Sequence, residues 1–367
     1  MSVPGGSVGQ AARRVRIADV AREAGVSKTA VSFAFNSPDR LSPETASRIR
    51  AVAESLGYRP HPVARMLTQR ATRSIGLLTP QALSVVLANP FFGQFAAGVA
   101  RVAEEAGYGL HLISPLHGSL ARALGRATVD GVVAVGLSGD HPEIEQVRRA
   151  GLPVVLVDSV ALPEHGLIEV DDEGGARQAA EHLLDLGHRD LLVIGVEPPQ
   201  RATRLDPEGV MGRRLRGYRL ALEARGLALP DEAVVVGPAT IEGGAAAVRR
   251  AWEDGLRPTG LLVMSDAMAI GALRALRDLG LAVPHDVSVV GFDDVALAAH
   301  TDPPLTTVHQ PIERKGEEAV RLVLSMVERP ALDRPAHRRL ETRLVIRAST
   351  GPAPARHRME EVTEVSH

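Results

Sequence analysis

From Ser74 onward the hydrophobic pattern alternates between short apolar runs and longer amphipathic stretches. The apolar runs, which include SIGLLT, DLLVIGV and VSVVGFD, are rich in Val, Ile and Leu without polar interruption. Such runs are typical of strands buried on both faces of a parallel sheet. Helical patterns of roughly 10–18 residues separate them, and two series of this kind follow one another. The pattern therefore predicts an α/β fold with two doubly wound lobes.

The same pattern predicts where the lobes bind a ligand. Open parallel sheets bind ligands at the carboxyl ends of their strands, where the strand order reverses. A cleft between the two lobes is therefore the expected binding place. The lobe helices are predicted over residues 91–106, 142–150, 173–186, 208–225, 241–254 and 266–279.

The first sixty residues have a different pattern. In IADVAREA, which starts at Ile17, apolar residues recur at i, i+3, i+4 and i+7, one face of a short helix. Gly25 ends that helix and Ser27 caps a second one, which is helix-turn-helix spacing. A third helix starts at Ser42, with Pro at its first position, and stops at Gly57. The pattern predicts a small three-helix headpiece.

The charge is distributed unevenly between these regions. Residues 13–73 carry twelve Arg or Lys against five Asp or Glu, a balance of +7. The whole chain has a formal charge of −2, so the remainder is −9. A basic module on an acidic body favours a polyanionic partner such as nucleic acid. A solvated, Arg-rich surface is the alternative, because the chain has only two lysines, Lys28 and Lys315.

Composition excludes several classes of site. The chain contains no cysteine, which rules out disulfides, thiolate metal sites and cysteine nucleophiles. No GxSxG, Walker or HExxH motif is present, and the histidines, His182, His188, His300 and His309 among them, are interpreted as surface or capping residues. From these missing motifs we expect no catalysis, metal or cofactor. Neither a signal peptide nor an apolar run of about 18 residues is found, so we expect a cytoplasmic protein.

Over Ile17 to Leu67 the sequence resembles the headpiece and hinge of the LacI/GalR (lactose repressor) family. The shared phrases are DVAREAGVS, LGYRP and PVARML. The resemblance implies that the helix after Ser27 lies in the DNA major groove and that a hinge helix enters the minor groove. It implies DNA contacts by the residues Ser27, Lys28, Thr29, Ala30, Ser32, Phe33, Asn36, Ser42, Thr45, Val63, Ala64 and Leu67.

Two of these residues have particular expectations. Leu67 would wedge into a central base step and bend the duplex; an ordinary apolar linker residue is the alternative. Phe33 departs from the family, which commonly has an Arg that contacts guanine at this place. Because a phenyl ring donates no hydrogen bond, the preferred operator should differ from the usual one.

The lobes resemble the periplasmic-binding-protein-like core of the same family. The matching phrases include NPFF, RLRGYRLAL, SDAMAIGALRALRDLG, VSVVGFDD and DPPLTTVHQP. The resemblance implies an effector site, with carboxylates and one Arg fork that suit a polyhydroxylated ligand. Its predicted residues are Phe91, Asp158, Arg214, Asp266 and Asp293. The open alternatives are helix caps for the Asp residues, a structural ion pair for Arg214 and a core position for Phe91.

Domain boundaries follow from both patterns. The headpiece is assigned to residues 15–60, the hinge helix and linker to 61–73, and the effector and dimerisation core to 74–350. Within the core the first lobe is assigned to about 74–171 and 303–335, and the second to about 172–302 and 336–350. We expect the first dozen residues and the tail 351–367 to be disordered. Compared with the family, the connection before NPFF is longer and the segment 114–131 is shorter.

The predicted function is a ligand-responsive, DNA-binding transcriptional regulator. The expected form is a homodimer or tetramer that represses carbohydrate-utilisation genes on a pseudo-palindromic operator until a small sugar binds. One alternative is a sugar-binding or sugar-processing protein that does not act through DNA. Another is a co-repressor-type regulator that binds a non-sugar metabolite. The basic headpiece separates the first alternative from the regulator.

Overall fold

The computed structural model describes residues 15–59, 71–160, 162, 165–197, 208–329 and 336–355. The chain forms two compact units, Met1–Thr72 and Arg73–His367. In the described residues no helix is long and apolar enough to cross a lipid bilayer.

Three helices build the first unit: α1 (Ile17–Glu23), α2 (Lys28–Asn36) and α3 (Pro43–Ser55). Gly25 follows α1 with φ +63°, a left-handed conformation that glycine adopts without strain. Ser42 Oγ caps α3 by accepting the Thr45 N–H at 3.3 Å, as the sequence predicts. The small core consists of Val20, Ala21, Ala24, Val31, Ala34, Ile49 and Ala53.

The second unit alternates strands and helices. Its strands are β1 (Ser74–Leu78), β2 (Gly109–Ile113), β3 (Gly131–Val135), β4 (Val154–Val157), β5 (Gly166–Val170), β6 (Leu191–Val196), β7 (Val234–Gly237), β8 (Gly260–Val263), β9 (Ser288–Asp293), β10 (Thr306–His309), β11 (His337–Leu340) and β12 (Arg343–Val345). Its helices are α4 (Leu83–Ala88), α5 (Pro90–Glu105), α6 (Leu120–Leu124), α7 (Pro142–Arg149), α8 (Asp172–Asp185), α9 (Val210–Glu223), α10 (Ile241–Glu253), α11 (Asp266–Asp278) and α12 (Ile312–Glu328). The predicted helices agree with these bounds to within two residues.

Each lobe is one six-stranded sheet. The first has the strand order β11-β5-β4-β3-β1-β2 and the second the order β12-β10-β9-β8-β6-β7. All pairings are parallel except that of β12 with β10. The central strands β3, β4 and β9 are buried along their whole length. This confirms the prediction of two parallel sheets covered by helices.

Two segments lie in the opposite lobe from the one predicted. Strand β10 was expected in the first lobe but pairs with β9 in the second. Strand β11 was expected in the second lobe but pairs with β5 in the first. The chain therefore crosses between lobes near 171, near 310 and near 341. Strand β11 is only four residues long and mostly exposed, so its hydrophobic pattern could not indicate which sheet edge it joins.

The beginning of the predicted disordered tail is instead ordered. The Gly351 N–H donates to Ser288 Oγ at 3.0 Å, and the Ala353 N–H donates to the Leu186 carbonyl at 2.9 Å. Residues 351–355 thus lie against the second lobe, because their backbone groups find partners there. The rest of the tail, 356–367, and the residues before 15 lie outside the described residues.

The two departures in length from the family correspond to short helices. The longer connection before NPFF contains α4, in which Leu87 is 73% exposed while Val86 is buried. The shorter segment 114–131 contains α6, which Ser119 caps. Both short helices lie in the first lobe. The differences in length therefore fall in connections between strands, and the six-stranded sheet of this lobe is uninterrupted.

Candidate functional site

The second helix of the headpiece presents its first turn to solvent. Ser27 Oγ accepts the Ala30 N–H at 3.1 Å and so caps α2, while Ser27, Lys28 and Thr29 are exposed. Val31, on the other side of the helix, is completely buried. Burial of one side fixes the helix on the headpiece core, so the predicted base-reading residues lie on the side that a DNA groove can reach.

Further along α2 the predicted contacts are half exposed. Asn36 Nδ2 donates to Ser32 Oγ at 3.2 Å, and Asn36 Oδ1 has no hydrogen-bond partner among the described residues. The Arg40 guanidinium lies 5.2 Å from the centroid of the Phe33 ring. Phe33 therefore carries a cation on its face. A positive charge is thus present beside the position where the family commonly has Arg.

The predicted phosphate contacts at the start of α3, Ser42 and Thr45, form a local pair. Ser42 Oγ donates to Thr45 Oγ1 at 2.8 Å while accepting the Thr45 N–H. The hydroxyl hydrogen of Ser42 is thus engaged within the headpiece, and the hydroxyl of Thr45 is the one oriented by this pair for a further partner. The predicted hinge residues Val63, Ala64 and Leu67 lie outside the described residues.

In the second unit the three predicted effector carboxylates lie at or just after the carboxyl ends of sheet strands. Asp158 directly follows β4 in the first lobe, whereas Asp293 ends β9 in the second. Asp266 follows β8 after two residues. Asp158 has φ +55° and Asp293 has φ +130°, so both stand on strained backbone. Strained backbone at strand ends is a feature of functional sites.

Arg214 lies in a buried ion cluster that joins α9 to α8. Its Nε donates to Asp172 Oδ1 at 2.8 Å, and Arg213 Nη2 donates to Asp172 Oδ2 at 2.7 Å. Asp172 has no exposed surface. Burial alone would raise the pKa of Asp172, but the charges of Arg214 and Arg213 outweigh it and lower the pKa. The guanidinium of Arg214 also lies 3.5 Å from the centroid of the Phe292 ring.

A second chain of polar contacts crosses from one lobe to the other. Lys315 Nζ donates to both carboxylate oxygens of Asp158, at 2.8 and 2.9 Å, and to Gln310 Oε1. Gln310 Nε2 in turn donates to Asp293 Oδ1 at 2.6 Å. Asp158 belongs to the first lobe and Asp293 to the second, so this series of hydrogen bonds joins two predicted effector residues across the lobes.

Asp266 has a buried role within the second lobe. Its Oδ1 accepts the Thr307 hydroxyl at 2.6 Å, and its Oδ2 accepts the Val295 N–H at 2.9 Å. The side chain has no exposed surface. These contacts are structural, but they are not the helix cap that the sequence offered as the alternative. A ligand contact by Asp266 stays a prediction.

Burial also changes the protonation of the two carboxyls in this lobe. It raises the pKa of Asp266 to about 8, and the nearby charge of Asp293 adds to the effect. Burial raises the pKa of Asp293 to about 6, against the opposing influence of Arg214, Gln310 and Lys315. Burial therefore favours the protonated form of both carboxyls, and more strongly for Asp266. The pair Asp293 and Asp294 does not face one point, as expected, because Asp294 instead binds His309 and Arg347.

Phe91 stands between the cleft and the core. Its ring stacks on Phe95 with centroids 6.2 Å apart and contacts the Phe92 ring edge-on at 5.5 Å. The Lys315 ammonium lies 5.3 Å from its centroid. Phe91 is half buried. Its ring therefore packs on the core through Phe95 and also lies close to the charged cluster through Lys315.

Five residues of this cluster were not predicted from the sequence: Asp172, Arg213, Ser265, Gln310 and Lys315. Ser265 Oγ is buried at the start of α11 and has no hydrogen-bond partner among the described residues. A buried hydroxyl without a partner is unusual unless a ligand or water satisfies it. Ser265 could have been found because it ends the run LLVMS at a strand's carboxyl end; Lys315 lies inside a helical pattern that gave no such signal.

The interpretation of the histidines needs correction at two positions, because His165 and His188 are both buried. His188 is completely buried, with Nδ1 3.0 Å from Thr259 Oγ1 and Nε2 3.0 Å from the Gly351 carbonyl oxygen. It therefore ties the segment after β12 to the second lobe and is not a surface residue. In the described residues no group of three or more His, Cys, Asp or Glu side chains has a metal-binding arrangement.

Comparison with known proteins decides the family. Residues 16–61 match the model of the bacterial regulatory proteins, lacI family, and residues 180–350 match a periplasmic binding protein-like domain. The chain is 33% identical over 346 residues to the HTH-type transcriptional regulator CelR of Thermobifida fusca, which covers 92% of this chain and 98% of CelR. This chain belongs to the LacI family. It is therefore a DNA-binding transcriptional regulator and not an enzyme.

Further LacI-family proteins are similar over most of the length. The ribose operon repressor of Escherichia coli (strain K12) is 33% identical over 322 residues, covering 86% of this chain and 93% of that repressor. A structure of the CelR–cellobiose complex superimposes with a TM-score of 0.67 at 32% identity, covering 92% of this chain and 100% of that one. A lac repressor dimer bound to operator and the anti-inducer ONPF gives 0.76 at 26% identity with the same coverage.

Proposed function

We propose that this LacI-family regulator is a cytoplasmic repressor whose hold on operator DNA is released when a small neutral sugar enters the cleft between its lobes. The headpiece reads the operator with the exposed first turn of α2, and two copies of the chain bind the two halves of a pseudo-palindromic site. The lac repressor structure, a dimer on operator, supports the dimeric form.

The charge balance of the cleft is the observation that carries the proposal. Lys315 pairs with Asp158, and Arg213 and Arg214 pair with Asp172. Burial raises the pKa of Asp266 and so favours its uncharged form. The carboxylates are thus compensated before any ligand arrives, which disfavours a strongly charged effector. Paired carboxylates and guanidinium groups still accept from and donate to sugar hydroxyls.

The unpartnered hydroxyl of Ser265 supports a ligand in the same place. It lies beside Asp266 at the carboxyl end of β8, where open α/β sheets bind their ligands. The CelR structure with cellobiose supports the sugar class. Five predicted contacts, Phe91, Asp158, Arg214, Asp266 and Asp293, remain proposed contacts, as do those to DNA.

Binding of DNA from the region upstream of this chain's own gene, with and without sugars, tests the proposal. In a fluorescence anisotropy titration at moderate salt, we expect selective binding that weakens by about 5- to 150-fold when the matching sugar is added. Cellobiose and ribose are the first sugars to try. Selective DNA binding that no mono- or disaccharide changes would refute the sugar-released mechanism.

The hinge is tested separately. Leu67→Ala is expected to lose operator affinity, because its proposed wedge into the minor groove bends the duplex. It should keep its sugar affinity. An unchanged operator affinity in this variant would show that the hinge assignment is wrong, without affecting the cleft.

A further inference from the structure

One buried residue contacts more of the proposed sugar site than any predicted residue does. Lys315, on the first turn of α12, has no exposed surface. It contacts Asp158 directly, lies 5.3 Å from the Phe91 ring centroid, and reaches Asp293 through the single amide of Gln310. It thus links three of the five predicted effector residues.

The ammonium of Lys315 has no hydrogen to spare. A lysine ammonium has three donors, and here they meet the two oxygens of Asp158 and Oε1 of Gln310. The side chain of Asp158 keeps 13% of its surface exposed, whereas that of Lys315 keeps none. Lys315 therefore lies beneath Asp158 and acts on a ligand only through its neighbours.

The choice of lysine is informative in this chain. Arginine and lysine together number 42, of which only two are lysine. Arginine would bring a planar fork with five donors, more than the three acceptors at this point can satisfy. A compact ammonium matches the three acceptors one to one. The buried position therefore requires lysine for its geometry as well as its charge.

We propose that Lys315 is the positioning residue of the sugar site: it holds the Asp158 carboxylate of the first lobe and, through Gln310, the Asp293 carboxyl of the second lobe in the arrangement that receives the sugar. The inference rests on the proposed function and deepens it. With both oxygens of Asp158 oriented by Lys315, their remaining lone pairs accept sugar hydroxyls. Because the chain of contacts crosses the lobes, the same lysine links sugar binding to the lobe arrangement.

A positioning role differs from a purely structural ion pair in its pH dependence. The groups that face Asp293 are Arg214, Lys315, Asp266, Tyr218 and Gln310. Burial raises the pKa of Asp293 to about 6, and the positive charge of Lys315 is one of the influences that keep it from rising further. Removing the ammonium should raise that pKa. If ionised Asp293 accepts from the sugar, the pH at which sugar affinity falls should then move upward.

The experiment measures sugar affinity of the full chain by calorimetry at several pH values, with cellobiose, ribose and related mono- and disaccharides as probes. Lys315→Met should weaken binding of the matching sugar by about tenfold or more, because one partner of a buried charge pair is lost. It should also shift the pH midpoint upward. Val320→Ala is the control, since Val320 is fully buried on the same helix outside the polar cluster. It should destabilise the lobe but leave sugar affinity and its pH midpoint unchanged.

A second variant covers the case in which Lys315→Met does not fold. The double substitution Lys315→Met with Asp158→Asn removes both charges, so it avoids an uncompensated buried carboxylate; it should fold and still bind the sugar weakly. Wild-type affinity and pH midpoint in either variant would overturn the inference alone. If the wild-type chain binds DNA but none of the sugars, the proposed function fails and the role of Lys315 falls with it.

Discussion

The headpiece and the interlobe cleft expose their functional side chains in opposite ways. In the headpiece Ser27, Lys28 and Thr29 stand in solvent, and Lys28 makes no ion pair with any described residue of that unit. In the cleft Arg214 and Asp293 are at most 5% exposed, and each is held by several partners. The side chains proposed to contact DNA are thus exposed and accessible, whereas those proposed to contact the effector form a buried, hydrogen-bonded network.

The difference teaches that the same kind of substitution should have different consequences in the two regions. An exposed side chain that contacts only DNA contributes to the affinity for DNA but little to the free energy of folding. A buried, paired group contributes to folding through its partner, because its loss leaves the other charge without compensation. Measurements of stability and of binding on matched variants separate the two regions.

The largest effect is expected for Arg214→Ala. Its removal leaves Asp172, fully buried, with Arg213 alone, and we expect the free energy of unfolding to fall by about 3–5 kcal/mol in denaturant titrations. Sugar binding should be lost as well, whereas operator binding should persist under conditions where the protein is folded. Arg216→Ala is the control on the same helix: its ion pair with Glu173 is 39% exposed on the arginine side, so a loss of under about 1 kcal/mol is expected. Equal losses in the two variants would contradict the contrast.

The next effect concerns pH and Asp266. Because its pKa is raised from 3.8 to about 8, the folded state keeps a proton that the unfolded state releases between these values. This contribution to stability is fully present below pH 3.8 and is lost as pH rises to about 8, at roughly 1.4 kcal/mol per pH unit. Asp266→Asn should remove that slope, which thermal or denaturant unfolding at pH 5 and pH 7 can measure. Parallel pH curves for wild type and variant would show that the carboxyl does not titrate as described.

A smaller effect is expected in the headpiece. Lys28→Ala or Thr29→Ala should weaken operator binding by about 1–3 kcal/mol and leave the unfolding free energy within about 0.5 kcal/mol of wild type. Anisotropy titrations at several salt concentrations distinguish the roles of Lys28. If Lys28 contacts a phosphate, its loss should reduce the slope of log affinity against log salt concentration by about one. If it contacts a base, its loss should relax the sequence preference at one position of the operator. Arg48→Ala, exposed on α3 and outside the predicted contacts, removes the same charge and is the control for general charge effects, and an equal loss there would argue against α2 as the reading helix.

The smallest change in free energy of folding, but a clear change in preference, is expected for Phe33→Arg. A guanidinium at this position can donate to the O6 and N7 acceptors of guanine, which a phenyl ring cannot do. Selection from a randomised operator library should then shift toward guanine at one position per half-site. A preference identical to that of wild type would place Phe33 away from the bases.

The fold was largely predictable, because continuous Val, Ile and Leu runs have no other common solution than buried parallel strands. The headpiece was predictable from Gly25, Ser27 and Ser42, whose turn and capping roles are local. The lobe assignment of β10 was wrong although it pairs with β9, the strand that precedes it in the chain. That of β11 was wrong because its partner at the sheet edge, β5, lies more than a hundred residues earlier. Local patterns contain no information on such contacts.

The cleft was predictable only in part, for the same reason. Asp158 and Asp293 each end an apolar run, and this pattern predicted their position at strand ends. Lys315 lay in the amphipathic pattern of α12, and only the fold shows that it meets Asp158, 157 residues earlier in the chain. The partners of a buried charge are set by the tertiary structure, and in this cleft they include the residue that holds the others.

Reciprocal titration tests the central claim most directly, because coupling between two sites must act equally in both directions. The affinity of the matching sugar is measured by calorimetry for the free protein and for the protein saturated with operator DNA. If cleft occupancy controls DNA binding, the sugar should bind the DNA complex more weakly, by the same factor by which it weakens DNA binding. Equal sugar affinity in the presence and absence of operator would contradict the account.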